Sequence, residues 1–167
     1  MTAEAKLFKD VLSHFASGVT VVTTFVDGGP HGLTVSAFSS VSVSPPRVLV
    51  CLGNDTDSKP LVERAGCFAV HILGREHAGL GPRFAKLKPD ADDPFAGVVY
   101  RTERTGAPIL SECLAWLDCT VESVLSVGDH AIFVGAVEAA GRGAVDGEPV
   151  LYYRRAWRVL DPEALDP

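Results

Sequence analysis

The sequence predicts a mainly β domain, an antiparallel β-barrel, closed or partly closed, with a few helices. Three observations carry this. β-branched and alternating apolar runs recur at short spacing, turn sequences rich in Gly, Pro and Asp separate them, and regular βαβ alternation is missing. With 167 residues, 47% apolar and 22% charged, the chain can bury a sizeable core and fits a single domain over 1–167. Closing the sheet also deals with exposed strand edges.

Taken in order, Phe8, Val11, Leu12 and Phe15 recur at i, i+3, i+4 and i+7, one apolar stripe of a helix that ends near Gly18. From Val19 the period becomes that of a strand, and Asp27-Gly-Gly-Pro supplies a hairpin turn whose glycines tolerate positive φ. His31 to Ser44 continues as strand, with Leu33, Val35, Val41 and Val43 set among Ser and Thr, and stops at Pro45-Pro46. Arg47 to Leu52 follows as a more deeply buried strand. The loop Gly53-Asn-Asp-Thr-Asp-Ser leads into a short helix from Lys59, with Ser58 as N-cap and Pro60 in the first turn. Cys67 to Leu73 is another strand. Residues 75–87 have helical spacing broken at Gly79, Gly81 and Pro82, and 88–94 form a polar loop. Strands then return at Trp116–Leu125, Ala131–Ala139 and Leu151–Leu160, with turns at Val127-Gly-Asp and near Gly141-Arg-Gly.

Fifteen Lys and Arg against 21 Asp and Glu leave a net charge of −6. That is the wrong sign for a protein held by phosphate backbones or anionic lipid heads, so neither nucleic acid nor a membrane is an expected partner. Absence of an apolar signal core after Met1, and of any apolar run near the ~20 residues that span a bilayer, predicts a cytoplasmic protein. Cys51, Cys67, Cys113 and Cys119 show no C-x-x-C pair and read as free thiols in apolar runs. The five histidines have no zinc spacing, so no metal is expected. A G-x-S-x-G elbow and a phosphate loop are missing too, which disfavours hydrolase and doubly wound nucleotide-binding readings.

Three segments carry candidate chemistry. Gly32 to Pro46 holds five serines and Thr34 in a β-forming stretch. Its small hydroxyls and backbone amides suit a flat ring and a phosphate, or simply the solvated face of an edge strand. Around Ser58 and Lys59, hydroxyls, an ammonium and a helix start coincide, which reads equally as an anion site and as plain capping. Gly128-Asp-His130 is a hairpin turn that Gly128 and Asp129 explain without the histidine.

Together the runs Phe15-Ala-Ser-Gly-Val-Thr-Val-Val-Thr-Thr, Gly32-Leu-Thr-Val-Ser-Ala-Phe-Ser-Ser-Val-Ser-Val-Ser-Pro-Pro, Ser58-Lys-Pro, Phe68-Ala-Val-His-Ile-Leu, Arg83-Phe-Ala, Gly128-Asp-His-Ala-Ile-Phe-Val-Gly and Pro149-Val-Leu-Tyr-Tyr-Arg resemble the short-chain flavin reductases. These are the NAD(P)H:flavin oxidoreductases of two-component flavin monooxygenases. The resemblance implies a Greek-key-like FMN-binding split barrel, a homodimer, FMN or FAD as flavin, and NADH or NADPH as hydride donor. It also implies a monooxygenase component as partner, reached by diffusible reduced flavin. By the same resemblance Thr34, Val35, Ser36 and Ala37 run along the isoalloxazine, and Ser39, Ser40, Ser42, Ser58 and Lys59 approach the ribityl chain and phosphate. Phe84 packs near the flavin, Cys51, Asn54 and Tyr153 belong to the same site, and His130 faces the nicotinamide. Two positions depart from the family pattern: Pro60 where Thr is frequent, and His71 where Asn is common.

Direct hydride transfer requires two stacked rings and donors at the flavin's developing anionic edge, not a strong acid, base or metal. Two other readings share the scaffold: a non-catalytic flavin electron carrier, and a reductase that passes electrons from bound flavin to a ferric chelate or corrinoid. Arg154, Arg155 and Arg158 are the residues available to distinguish NADPH from NADH.

Overall fold

The computed structural model describes residues 2–87, 93–144 and 146–160. It opens with helix α1 (Ala3–Ser13), whose first turn is capped by Thr2 Oγ1 accepting from Ala5 N at 3.2 Å. The helix stops earlier than its apolar stripe suggests, because Ser17–Gly18 is drawn into a two-residue strand, β1. Strand β2 (Thr20–Val26) then turns through Asp27 and Gly28, both at positive φ, into β3 (Gly29–Val35). That is the left-handed two-residue turn a hairpin twist requires. β4 (Phe38–Val43) and β5 (Pro46–Gly53) precede helix α2 (Ser58–Ala65), closed by Gly66 in the left-handed region. β6 (Cys67–Ile72), a 3-10 turn at Arg75–His77, short helix α3 (Leu80–Phe84), β7 (Tyr100–Thr102) and β8 (Pro108–Leu110) follow. The chain ends with the long pair β9 (Ala115–Val127) and β10 (His130–Arg142) and the small hairpin β11 (Val150–Tyr153) and β12 (Ala156–Val159).

Several boundaries differ from the sequence reading, each for a local reason. His31–Ser44 is two strands, because the backbone leaves the sheet at Ser36–Ala37. Leu151–Leu160 is a hairpin and not one strand: Arg154 and Arg155 take φ of 49° and 60°, a turn with neither Gly nor Asn to announce it. Gly141 marks no turn. It lies within β10, where a Cβ would come 2.5 Å from the Trp116 ring. α2 begins at Ser58 with Asp57 before it, and no side chain caps its amides. The pair β7–β8 carries too few residues for a period to show. Of the expected polar loop at 88–94, residues 88–92 lie outside the described part.

Seven strands form one antiparallel sheet in the order β3-β2-β6-β9-β10-β5-β4. β3 and β4 are its two edges, yet only Ser36 and Ala37 separate them in sequence. Three Cα steps reach at most about 11 Å, so the edges must meet and the sheet must curl into a barrel. Cys51 N donates to Ala37 O at 2.9 Å, extending the β4–β5 ladder by one step, and β3 and β4 do not pair with each other. The barrel is therefore split along that seam. Val22, Val50, Leu52, Phe68, Val70 and Phe133 fill its interior. A second cluster of Val19, Val21, Leu73, Leu80, Phe84, Phe95, Leu110 and Val150 holds α3 and β11 against the outside of β2.

Two buried polar groups fix the excursion between α3 and β9. Asp118 accepts from Arg104 N (2.8 Å), Thr105 N (2.9 Å) and the Thr105 hydroxyl. His71, fully buried, lies 2.9 Å through Nδ1 from Val21 O and accepts from Leu110 N through Nε2 at 3.1 Å. Nδ1 must carry the proton, so the ring is neutral. Burial holds its pKa down at about 4, from 6.5. His71 thus ties β8 to the barrel.

The unfolded chain protonates this imidazole as pH falls below 6.5, whereas the native protein resists until about 4. Stability is therefore fully present above 6.5 and declines as pH falls from there to about 4, by an amount on the order of 3 kcal/mol. His71→Asn, which cannot titrate, is expected to unfold at lower urea at pH 7.5 yet to lose less stability between pH 7 and 5 than the parent. Parallel pH dependences in the two proteins would remove His71 as the source of the acid sensitivity.

Candidate functional site

An unpaired sheet edge exposes backbone N–H and C=O groups, and here two such edges converge. A cleft runs along the seam in three connected lobes. The first, about 360 Å³, is lined by Gly32, Leu33 and Thr34 of β3, by Asp55–Ser58 before and at the start of α2, and by Phe84–Lys86. The second, about 300 Å³, shares Thr34 and Ala85 with it and adds Val19, Ser36, Leu87, Tyr152, Arg155 and Trp157. The third and largest, about 590 Å³, shares Ser36, Tyr152 and Arg155 and extends past Ala37, Phe38, Ser39, Leu49 and Cys51 beneath α1.

Each wall has an identifiable cause. α3 docks on β3 because Gly32 has no side chain: a Cβ there would meet the Phe84 ring at 2.7 Å. Thr34 Oγ1 donates to Gly81 O at 2.6 Å, which anchors the same helix. Gly81 in turn lets Trp157 press close against α3, since a Cβ would come within 2.1 Å of its ring. Trp157 is delivered by the turn at Arg154–Arg155, whose left-handed backbone costs about 1–2 kcal/mol for each non-glycine residue.

Of the candidate residues, Thr34, Ser36, Ala37, Ser39, Cys51, Ser58 and Phe84 line the cleft. Burial of the Cys51 thiol pushes its pKa up, keeping it a neutral, unreactive wall. Val35 lies on the seam but turns its side chain into the barrel core. Ser40 and Ser42 continue along β4 beyond the lining residues. Lys59 Nζ is on Glu63 at 2.7 Å, one turn along α2. Tyr153 faces away and meets His14 edge-on at 6.4 Å, whereas its neighbour Tyr152, on the opposite side of β11, enters the cleft.

Asn54 supports the β9–β10 turn: its N–H donates to Asp129 O at 2.9 Å and its Nδ2 to Gly128 O at 3.2 Å. On that turn His130 stands beside Gly53, with Nε2 3.9 Å from where a Gly53 Cβ would be, and Nδ1 is 2.7 Å from Asp129 Oδ1. This contact holds the Asp129 carboxyl below its usual range, with Lys9 adding a smaller effect in the same direction. Lys9 itself lines the third lobe, whereas His130 is not among the residues lining any of the three lobes. Lys9, Lys86, Tyr152, Arg155 and Trp157 were not singled out for the cleft by sequence, Arg155 having been considered only for nucleotide choice. Strand alternation around Tyr152 is the one signal that could have found any of them.

The cleft fits a flat heteroaromatic ring with a polar chain: unpaired edge amides and serines on one side, Phe38, Tyr152 and Trp157 as apolar walls. Comparison with known proteins agrees. The sequence model described as "Flavin reductase like domain" matches residues 12–161. The reductase subunit HsaB of a flavin-dependent monooxygenase from Mycobacterium tuberculosis is 36% identical over 98% of this chain and 87% of its own. The reductase component of a 4-nitrophenol 4-monooxygenase/4-nitrocatechol 2-monooxygenase from Rhodococcus opacus is 44% identical over 88% of this chain and 76% of its own. Among solved structures, nitrilotriacetate monooxygenase component B from Mycobacterium thermoresistibile superposes with a TM-score of 0.90 at 34% identity, covering 98% of this chain and 90% of that one.

The contact of Gly81 with Trp157 is testable. Gly81→Ala is expected to displace the indole and lower stability by about 1–3 kcal/mol, a fall of several degrees in melting temperature. Gly79→Ala serves as control, since its Cβ would meet nothing within 4 Å. Equal melting temperatures for the two variants would show that Trp157 does not need the close contact.

Proposed function

This chain belongs to the flavin reductase family and is a flavin reductase, an enzyme whose relatives serve monooxygenases, and from that premise we propose how its cleft works. The seam between β3 and β4 receives the isoalloxazine along Thr34–Ala37, and reduced flavin leaves for the monooxygenase component. The observation that carries this reading is the run of unpaired backbone between two meeting sheet edges, lined with small hydroxyls.

Bound together, NADH or NADPH and FMN or FAD supply the redox chemistry, a hydride moving from nicotinamide C4 to flavin N5. The chain's own contribution is placement. Edge amides and Ser36 and Ser39 hold the polar rim of the flavin and favour it as negative charge develops. Tyr152 and Trp157 press on the ring and exclude water. Ser58 and the open first-turn amides of α2 face the phosphate end, with Lys86 beside them and 3.0 Å from Asp57. Lys59 reaches a phosphate only by leaving Glu63. His130, oriented by Asp129, hydrogen-bonds the nicotinamide side and sets its position, with no proton transfer required of it.

The apolar stripe of α1 stays uncovered: Phe8, Val11, Leu12 and Phe15 are all exposed, as are Leu125 and Val127 at the β9–β10 tip. Covering such surface in a homodimer is the proposed remedy. Sedimentation equilibrium is expected to give twice the 17.7 kDa chain mass; a monomer at micromolar concentration would reject it.

NADH or NADPH oxidation by the purified protein is expected to require added free flavin and to continue through many turnovers. Tight one-to-one flavin retention without turnover would point to an electron carrier, and turnover only with a ferric or corrinoid acceptor to the metal-reducing alternative. His130→Ala is expected to raise KM for the nicotinamide substrate several-fold with flavin affinity nearly unchanged, while His130→Asn preserves most of the rate. An alanine variant matching the parent in its NADH dependence would return His130 to a structural role.

A further inference from the structure

Asp57 immediately precedes α2 and is of a residue type well suited to cap a helix, yet its carboxylate accepts no hydrogen bond from the α2 amides. It turns instead to Lys86, whose Nζ donates to Oδ2 at 3.0 Å. Lys86 also forgoes a local preference. It follows α3 at φ 54°, in a left-handed stop where Lys86 N donates to Arg83 O at 3.2 Å and Leu87 N to Pro82 O at 3.0 Å, a position that ordinarily takes glycine. Both residues line the lobe at the α2 end, so their ion pair joins the start of α2 to the end of α3 there. The Asp57 side chain is 83% exposed and that of Lys86 68%, and a pair so exposed adds little to stability. Stability therefore does not account for the contact. The other lysine at this end is held in the same way, Lys59 Nζ on Glu63 at 2.7 Å.

We propose that Asp57 is a built-in competitor of the flavin phosphate and sets how loosely FMN is held. The inference rests on the reductase reading, in which Ser58, the first amides of α2 and Lys86 receive that phosphate. A carboxylate has the charge sign and the acceptor oxygens of a phosphate. Asp57 stands where its carboxylate holds Lys86 and adjoins the α2 amides, and the phosphate needs both. Binding FMN therefore exchanges one anion for another instead of adding an anion to unpaired donors, and the net gain from the phosphate is small. The isoalloxazine makes no demand on these groups, so the effect is confined to the phosphate. An enzyme that releases reduced flavin to a monooxygenase would be slowed by a phosphate held firmly. Asp57 keeps that hold weak and leaves the ring site untouched.

Titration of the purified protein with FMN and with riboflavin, which lacks the phosphate, reads the competition directly. Asp57→Asn removes the charge but keeps a residue suited to the cap, so its melting temperature is expected to match the parent's. Its dissociation constant for FMN is expected to fall about fivefold, the upper end of what an exposed charge pair contributes, and that for riboflavin to stay within about twofold. KM for FMN should fall in step while KM for riboflavin holds. In a Lys86→Ala background the same substitution should gain less than about twofold, since the cation competed for is gone. Asp55, a second carboxylate lining this lobe, supplies the control for charge alone: Asp55→Asn should gain less than about twofold. The proposal is overturned if Asp57→Asn leaves FMN affinity unchanged, tightens riboflavin as much as FMN, only matches Asp55→Asn, or keeps its full gain without Lys86. Flavin-dependent NADH or NADPH oxidation that persists beside any of those results leaves the reductase reading intact. Absence of any flavin reduction by the parent sinks that reading, whereas a Lys86-dependent gain in FMN affinity still stands as competition for a phosphate.

Discussion

A two-residue link between opposite edges of a seven-stranded sheet is the constraint on which the architecture turns. Ser36 and Ala37 cannot bridge an open sheet of that width, so the curl, the seam and the cleft are one consequence of chain length. A fully closed barrel would pair every edge amide internally. Leaving β3 and β4 unpaired with each other keeps backbone donors available on a rigid wall. Such donors need no reorganisation when charge develops next to them, the property a hydride-accepting ring needs from its surroundings.

Packing around the seam is set by what glycines omit. Gly32 admits Phe84, Gly81 admits Trp157, Gly135 admits Phe68 and Gly141 admits Trp116, each at a distance where a Cβ would overlap an aromatic ring. Two of these contacts hold α3 and β12 against the cleft, and two keep the long β9–β10 pair flat against its neighbours. Aromatic rings seated on bare backbone give a stiff frame, and Arg155 is the one charged side chain among the described residues lining the middle lobe. The charges collect at the ends, acidic and mixed near α2 and purely cationic beneath α1.

Much of the barrel was legible because its strands obey simple rules. Asp27-Gly28 announces its own turn, Pro45-Pro46 stops β4, and Val19 to Val26 cannot be anything but a strand. What escaped reading depends on contacts between distant residues. The break at Ser36–Ala37 has no turn chemistry and arises only when the sheet closes. Arg154-Arg155 adopts a glycine-like turn because β11 and β12 pair on either side and Ser13 takes the Arg154 N–H. Within the site, the serine-rich strand and Phe84 were visible as composition and motif. Lys9 and Trp157 were not, because a helix of the N-terminus and a strand of the C-terminus meet there only through tertiary folding. Sequence reading named Tyr153, whereas the residue of this strand that lines the cleft is its neighbour Tyr152, on the opposite face by strand alternation.

The two indoles of this chain are distributed unequally. Trp116 is buried with Cys67, Ala69 and Ile109 on the side of the barrel away from the seam residues, under the Arg101 guanidinium, while Trp157 forms part of the cleft wall. Ring ligands that absorb near the emission of indole quench a neighbour far more than a distant fluorophore. The protein therefore carries its own optical gauge: one tryptophan dims as the cleft fills, the other supplies the constant background, and occupancy can be followed without attaching any label.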